Sequence, residues 1–432
     1  MQRQIAMGDD VKRGTRVFAS GMAVLATSLL FSSLWFALPA HAQVDPRKCS
    51  APVMTADERL AACTAAIEAA AGDWRSLAAA YAVRARVYLA RKDFDHAIAD
   101  YSQIIKYDPQ NRYVYAHRGR AYAYNEDFDR AIADFGEAIR IEPTNEAVYV
   151  DRAVAYHRSG RISSAMSDYD HAIGLNPKSP LVYQSRGAVY LHEEDFDRAI
   201  DDFSQAIRLN PVFEPAYFLR ARTYIAKGES DRALADLDRM IQLYPKHGLG
   251  HAIRAEVFEA KGDLDRAIAE RGEVIRLDPK NVFAHRGRAR AYIAAGSFAD
   301  ALADLDQAKK LDLKNPYTAL WREIAAKRGQ LPSELAETAA QLDMTKWPAP
   351  VVRLFLGEMS AEAVLATADD DKPGRRKEQT CEANFFIGEL ALQHGEKDKA
   401  ARLFKLAVAD CPKGFVEYSS ANAELKALEA EP

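Results

Sequence analysis

Proline recurs at Pro109, Pro143, Pro177, Pro211, Pro245 and Pro279, each 34 residues after the last. The next step lands on Leu313, inside Leu311-Asp312-Leu313-Lys314-Asn315, where the rest of the loop survives without its proline. With the proline set as position 32, units begin at Ala78, Arg112, Glu146, Pro180, Glu214, Gly248 and Val282. Position 8 is small throughout: Ala85, Gly119, Ala153, Gly187, Ala221, Ala255 and Ala289. Position 20 is alanine in every unit, from Ala97 and Ala131 through Ala165, Ala199, Ala233 and Ala267 to Ala301. Position 11 is aromatic each time, as Tyr88, Tyr122, Tyr156, Tyr190, Tyr224, Phe258 and Tyr292. Small residues let two helices approach, aromatics fill the layer between neighbouring units, and proline stops the second helix. Such a unit buries its apolar face only by stacking on its neighbours, which predicts an all-α repeat array.

This pattern resembles the tetratricopeptide repeat, over Ala78 to Asn315 without a gap. The resemblance implies a right-handed superhelical solenoid of helix–turn–helix units, closed by capping helices. The expected organisation is 1–42 signal peptide, 43–77 N-terminal cap, and 78–315 seven tandem repeats. An atypical helical segment and linker then span 316–379. A further repeat-like unit at 380–414 and a C-terminal capping helix at 415–432 complete it. Ala56 to Ala70 reads as one helix of the N-terminal cap. In the atypical segment Pro316 to Arg328 and Ser333 to Leu342 read as helices, followed by shorter ones at Pro348 to Gly357 and Ala361 to Thr367. Asp369 to Arg376 reads as a solvated linker. Pro412 restarts the register, with Gly388 at position 8, Ala400 at position 20 and Phe404 at position 24.

The first forty residues read as an export signal. Lys12, Arg13 and Arg16 form a positive start, and an apolar run follows from Val17 to about Leu38. Ala40-His41-Ala42 then supplies small residues at signal-peptidase spacing. Cleavage after Ala42 would leave Gln43 at the mature terminus and the chain in the periplasm; an uncleaved signal would anchor it to the membrane. Lys and Arg total 58 against 62 Asp and Glu, for a net charge of −4. A nucleic-acid binder needs a strong basic excess, so that class is excluded as the expected one. Cys49, Cys63, Cys381 and Cys411 all follow the proposed cut, where an oxidising compartment favours disulfides. Four cysteines allow three connectivities. The repeat register favours Cys49–Cys63, stapling the lead segment to the first helix, and Cys381–Cys411, at positions 1 and 31 of the last hairpin.

The stretch from Glu382-Ala383-Asn384-Phe385-Phe386-Ile387-Gly388 through Ala400-Ala401-Arg402-Leu403-Phe404-Lys405-Leu406-Ala407 to Phe415-Val416-Glu417 is similar to the C-terminal part of the NlpI family of envelope repeat proteins. Phe355-Leu356-Gly357 upstream is similar as well. That resemblance implies a periplasmic adaptor that docks cell-wall hydrolases and a processing protease, often as a homodimer. The lipobox cysteine of that family has no counterpart here.

No HExxH pattern and no glycine-rich phosphate loop occurs, and no nucleophile is paired with a base, so no enzyme, cofactor or metal is expected. His251 and His285 both occupy position 4, where the five preceding units carry tyrosine, and read as core histidines. Arginine fills position 7 of every unit and an acid fills position 23. The expected ion pairs are Arg84–Asp100, Arg118–Asp134, Arg152–Asp168, Arg186–Asp202, Arg220–Asp236, Arg254–Glu270 and Arg288–Asp304. In the tetratricopeptide family the concave face is formed mainly by positions 2, 5, 9, 12 and 13. Those positions here give cations at Arg86, Arg120, Arg158, Arg222, Arg286 and Arg290, against Glu256 and Glu259. Tyr113, Tyr124, Phe218 and Phe283 add aromatic surface, with His157 and His192 alongside. A basic, aromatic groove on an acidic chain predicts an extended or acidic protein segment as ligand. The carboxylate clamp of chaperone-tail binders is replaced by Ala82, Arg86 and His117. The expected function is a non-enzymatic scaffold; the alternative is a structural envelope or secretion component acting by self-assembly.

Overall fold

The structure is a computed structural model that describes residues 49, 51, 53–69, 73–368 and 373–430. The expected signal segment and its cut lie outside the described residues, as do residues 369–372 of the expected linker. Among the described residues the regular elements are α-helices, with no strand. They divide into two compact units between Thr223 and Tyr224.

The first unit runs through α1 (Ala56–Ala69), α2 (Trp74–Ala90), α3 (Phe94–Tyr107), α4 (Arg112–Tyr124), α5 (Phe128–Ile141), α6 (Glu146–Arg158), α7 (Ile162–Leu175), α8 (Pro180–His192) and α9 (Phe196–Leu209). The division falls inside α10 (Glu214–Lys227). The second unit continues with α11 (Ser230–Leu243), α12 (Leu249–Lys261), α13 (Leu264–Leu277), α14 (Val282–Ala294), α15 (Phe298–Leu311) and α16 (Pro316–Arg328). It closes with α17 (Leu335–Ala339), α18 (Ala349–Phe355), α19 (Ala361–Thr367), α20 (Pro373–Gln393), α21 (Lys397–Asp410) and α22 (Val416–Ala430). Within each unit successive helices pack as antiparallel neighbours, so the repeat architecture expected from the proline spacing is present.

Local chemistry sets these helices. Position 16 caps the second helix of several repeats: the Asp93, Asp127, Asp195 and Asp263 carboxylates each accept from a backbone N–H three residues on. Asn111, Asn281 and Asn315 at position 34 cap the first helices in the same way. The turn between the two helices needs one left-handed residue at position 15. Gly160, Gly228, Gly262 and Gly296 supply it freely, whereas Lys92, Glu126 and Glu194 adopt it with a side chain in place.

The core repeats with the same period. Position 20 alanines such as Ala97, Ala131 and Ala165 are fully buried. Beside them lie the large position 24 side chains Tyr101, Phe135, Tyr169 and Phe203, which the sequence pattern had not singled out. A methyl at Gly119 would lie 2.8 Å from the Phe135 ring, which explains the small residue at position 8. Each such ring stabilises its unit by roughly 1.5–3 kcal/mol of burial.

Both favoured cystine bonds, Cys49–Cys63 and Cys381–Cys411, are present. Cys49 and Cys63 pack with Ala80 of α2, so the lead segment covers the end helix. The atypical segment departs from expectation in two places. The helix expected over 333–342 is a single turn, α17, because only Leu335, Thr338 and Ala339 turn inward before the chain bends. The expected linker is shorter than 369–376, since α20 already begins at Pro373. Phe385, Phe386, Trp321 and Phe404 bring α16, α20 and α21 into one core.

Candidate binding surfaces on the first helices

The position 7 arginines are structural. Bidentate or single contacts of 2.6–2.7 Å join Arg84–Asp100, Arg118–Asp134, Arg152–Asp168 and Arg186–Asp202 in the first unit, and Arg254–Glu270 and Arg288–Asp304 in the second. Arg220 belongs to the first unit and Asp236 to the second. The free arm of several arginines reaches position 25 of the preceding repeat. Arg118 donates to Ser102, Arg186 to Asp170, Arg220 to Ser204 and Arg254 to Asp238. One guanidinium thus closes its own hairpin and ties it to its neighbour. Burial pushes the Asp134 carboxyl up, and the Arg118 guanidinium opposes that shift.

The position 4 histidines are also accounted for. His251 meets Glu270 at 2.7 Å, and His285 bridges Asp304 at 3.0 Å and the Pro279 carbonyl at 3.1 Å. Tyr149 and Tyr217 donate to the equivalent carbonyls of Pro143 and Pro211, so histidine here substitutes for a tyrosine hydroxyl.

The ten groove residues separate into those that face solvent and those that do not. In the first unit Arg86 is exposed and makes no ion pair among the described residues. Tyr113 is 57% exposed and Tyr124 63% exposed, the first beneath Arg112 and the second stacked on Phe94. His117 stacks on Tyr101; burial, then Arg120 and Arg86, pull its pKa down. Arg120 is held by Asp151 of the next repeat at 2.7 Å, with its side chain still 38% exposed. Arg158 lies over the Phe128 ring and 3.3 Å from Glu126, so it too is engaged. Phe218 is half-buried against Phe203 and Leu219 rather than presented as a contact, and Arg222 is half-buried. His157 meets His192 edge-on at 5.0 Å.

In the second unit Phe283 is 74% exposed, with the Arg286 guanidinium over its ring. Arg290 is half-buried above the Trp321 ring at 5.9 Å. Glu259 is committed to buried Arg271 through contacts of 2.9 and 3.2 Å. Among the described residues no group of three metal-ligating side chains comes together.

Family descriptions of the tetratricopeptide repeat match residues 78–111, 147–179, 180–213, 218–272 and 254–316, and a TPR repeat description matches 119–160. This is a tetratricopeptide-repeat protein. Such repeats are protein–protein interaction scaffolds, and protein partners are what they imply. Similar solved structures include MamA, at 24% identity over 39% of this chain and 93% of that one, with a TM-score of 0.35. YrrB, described as a TPR protein with an unusual peptide-binding site, is 21% identical over 43% and 95%, with a TM-score of 0.35. A tetratricopeptide repeat protein from Parabacteroides merdae is 18% identical over 73% and 99%, with a TM-score of 0.42. Among the described residues of this tetratricopeptide-repeat protein, no helix is long and apolar enough to cross a membrane.

Proposed function

We propose that this chain is an exported, non-enzymatic adaptor that holds acidic segments of periplasmic protein partners against the first helices of its repeats. The observation that carries the reading is the exposure of Arg86, a cation without an ion pair among the described residues, and of Tyr113 and Tyr124, rings more than half exposed at the two ends of the next repeat's first helix. A soluble scaffold gains nothing from exposing rings, whereas a docking surface uses them as rigid contact area beside a carboxylate-binding cation. Export is supported by the basic and apolar start of the sequence and by two cystine bonds, which persist in oxidising compartments. The similarity of the C-terminal stretch to the NlpI family makes cell-wall hydrolases and a processing protease the first partners to look for.

Co-purification from the native envelope tests this, comparing the tagged wild type with Arg86→Glu combined with Tyr113→Ala. Arg120 is left untouched, since reversing it would strand Asp151. A hydrolase, protease or other envelope protein lost only from the variant is the expected result. Identical captured proteins would sink this surface as the docking site. Capture of the chain alone, as a homodimer, would favour the self-assembling structural component.

A further inference from the structure

The loop that loses its proline at Leu313 keeps its shape by other means. Asp312 accepts the Asn315 side-chain amide at 3.1 Å, and Asn315 accepts the Thr318 backbone N–H at 3.2 Å. The turn therefore does not depend on position 32, and Leu313 stands 54% exposed with Lys314 after it. The two preceding loops carry the same pairing. Lys246 and Leu249 lie between α11 and α12, and Lys280 and Phe283 between α13 and α14. All six side chains are exposed. Successive helices pack antiparallel, so these three repeat-to-repeat loops reach the same edge of the second unit. One exposed leucine is ordinary on a folded protein. A large apolar side chain beside a lysine in three consecutive loops is a stripe. In the first unit the pairing occurs once, at Lys178 and Leu181.

The cations at this edge are unmatched. Lys246, Lys280 and Lys314 make no ion pair among the described residues, nor does exposed Lys310 in the last turn of α15. Two carboxylates share these loops, and both take part in the turns. Asp278 accepts the Lys280 backbone N–H at 3.2 Å, Asp312 holds Asn315, and Tyr244 takes the same position in the first loop. At the other edge of the unit, where each repeat turns within itself, acids meet bases: Glu229 with Arg232, Asp231 with Lys261, Asp263 with Arg266. Excess positive charge and exposed apolar side chains thus coincide at the loop edge.

We infer that this edge docks the second unit on an anionic phospholipid bilayer, with Leu249, Phe283 and Leu313 entering the headgroup boundary and Lys246, Lys280 and Lys314 meeting lipid phosphates. Membrane docking does not rest on the adaptor reading, whose surface belongs to the first unit. Lysine is a compact, hydrated charge on a flexible stem, suited to a diffuse layer of phosphates, whereas arginine suits the planar fork of a peptide carboxylate. Apolar side chains flanked by lysines bind at the boundary of headgroups and acyl chains, and each cation adds attraction to an anionic leaflet. Loop tips rather than a groove carry these residues, which fits a broad surface better than an extended chain.

Vesicle flotation of the exported chain from Gln43, which holds every buried cluster of the fold, tests this. Phosphatidylglycerol–phosphatidylcholine vesicles should carry the protein upward at low salt, and phosphatidylcholine vesicles should not. Neutralising one lysine should weaken binding about fivefold, and combining Lys246→Gln, Lys280→Gln and Lys314→Gln by more than tenfold. Phe283→Ser with Leu313→Ser should weaken it about tenfold. Phosphatidylglycerol brominated in its acyl chains should quench the Phe283→Trp protein more than the wild type. The Arg86→Glu, Tyr113→Ala protein should float like the wild type, so the adaptor surface and this edge fail separately. Equal binding to both vesicles, unchanged affinity in the triple-lysine variant, or quenching no greater than in the wild type would each overturn the proposal. Vesicle binding that persists in that variant while a captured envelope protein is lost would give the edge to a protein instead.

Discussion

Arg118 shows how much one side chain carries. Its guanidinium closes the hairpin through Asp134 and reaches Ser102 of the preceding repeat. Arg118→Met should therefore lower the unfolding free energy by about 3 kcal/mol, because Asp134 is left buried without its partner. Adding Asp134→Leu should recover most of the loss. Urea unfolding of both variants checks this, and equal losses in the two would show that the ion pair itself, not the stranded charge, matters. The pairing of positions 7 and 23 was legible because both residue types hold a fixed spacing. The second arm was not, since position 25 varies among Ser102, Gly136 and Asp170. Arg120 was read as a groove cation because it shares a face with Arg86. Its partner Asp151 lies 31 residues away, in the next repeat, where only three-dimensional stacking brings them together. At position 15, Glu194 holds φ 58° where Gly160 and Gly296 stand elsewhere. Glu194→Gly should stabilise the chain by about 1 kcal/mol, and a fall in melting temperature would contradict the strain assigned to that turn.

Among elements, the repeat helices were legible from periodicity, and beyond them so were the helices at Pro316 to Arg328, Pro348 to Gly357 and Ala361 to Thr367, whereas the length of the one after Ser333 and the end of the linker were not. The 316–372 region follows burial against α16 and α20 rather than a period, so α17 stops after one turn and α20 starts early. The cystine between Cys381 and Cys411 closes the α20–α21 hairpin over a separation of 30 residues. Replacing both cysteines with alanine should cost about 3–4 kcal/mol by freeing that loop in the unfolded chain. Denaturant titration with and without reductant measures it, and a wild type insensitive to reductant under unfolding conditions would count against the bond. The same hairpin carries a buried carboxyl. Glu389 of α20 is buried between Arg328 of α16, at 3.5 Å, and Glu424 of α22. Burial and the Glu424 charge push its carboxyl up from 4.5 to about 8. Between those two values the folded chain keeps a proton that the unfolded chain has lost, so stability should fall as pH rises through that window. Glu389→Gln should flatten the fall, raising the melting temperature at pH 8 with little change at pH 4.5. Parallel pH profiles for the two proteins would refute this.

Across the whole molecule, core continuity differs between the units. In the first unit the buried clusters each span one repeat and its neighbour, as around Phe135 and around Tyr169. In the second unit one cluster runs from Ala289 to Ala421 and draws on α14 through α22. Nearest-neighbour stacking lets repeats open in succession, whereas a shared core must open as a block. Amide hydrogen exchange should therefore be graded through the first unit, weakest protection lying toward α1. Amides of α16, α20 and α21 should share one high level. This arrangement suits the proposed docking surface. Arg86, Tyr113 and Tyr124 belong to the first unit, where local opening lets a partner settle, while Arg290 rests on Trp321 of the block. A bound acidic peptide should then raise protection around α4 far more than around α14. Uniform protection along the chain, or a gradient within α16–α21, would remove the distinction between an adaptable and a fixed surface.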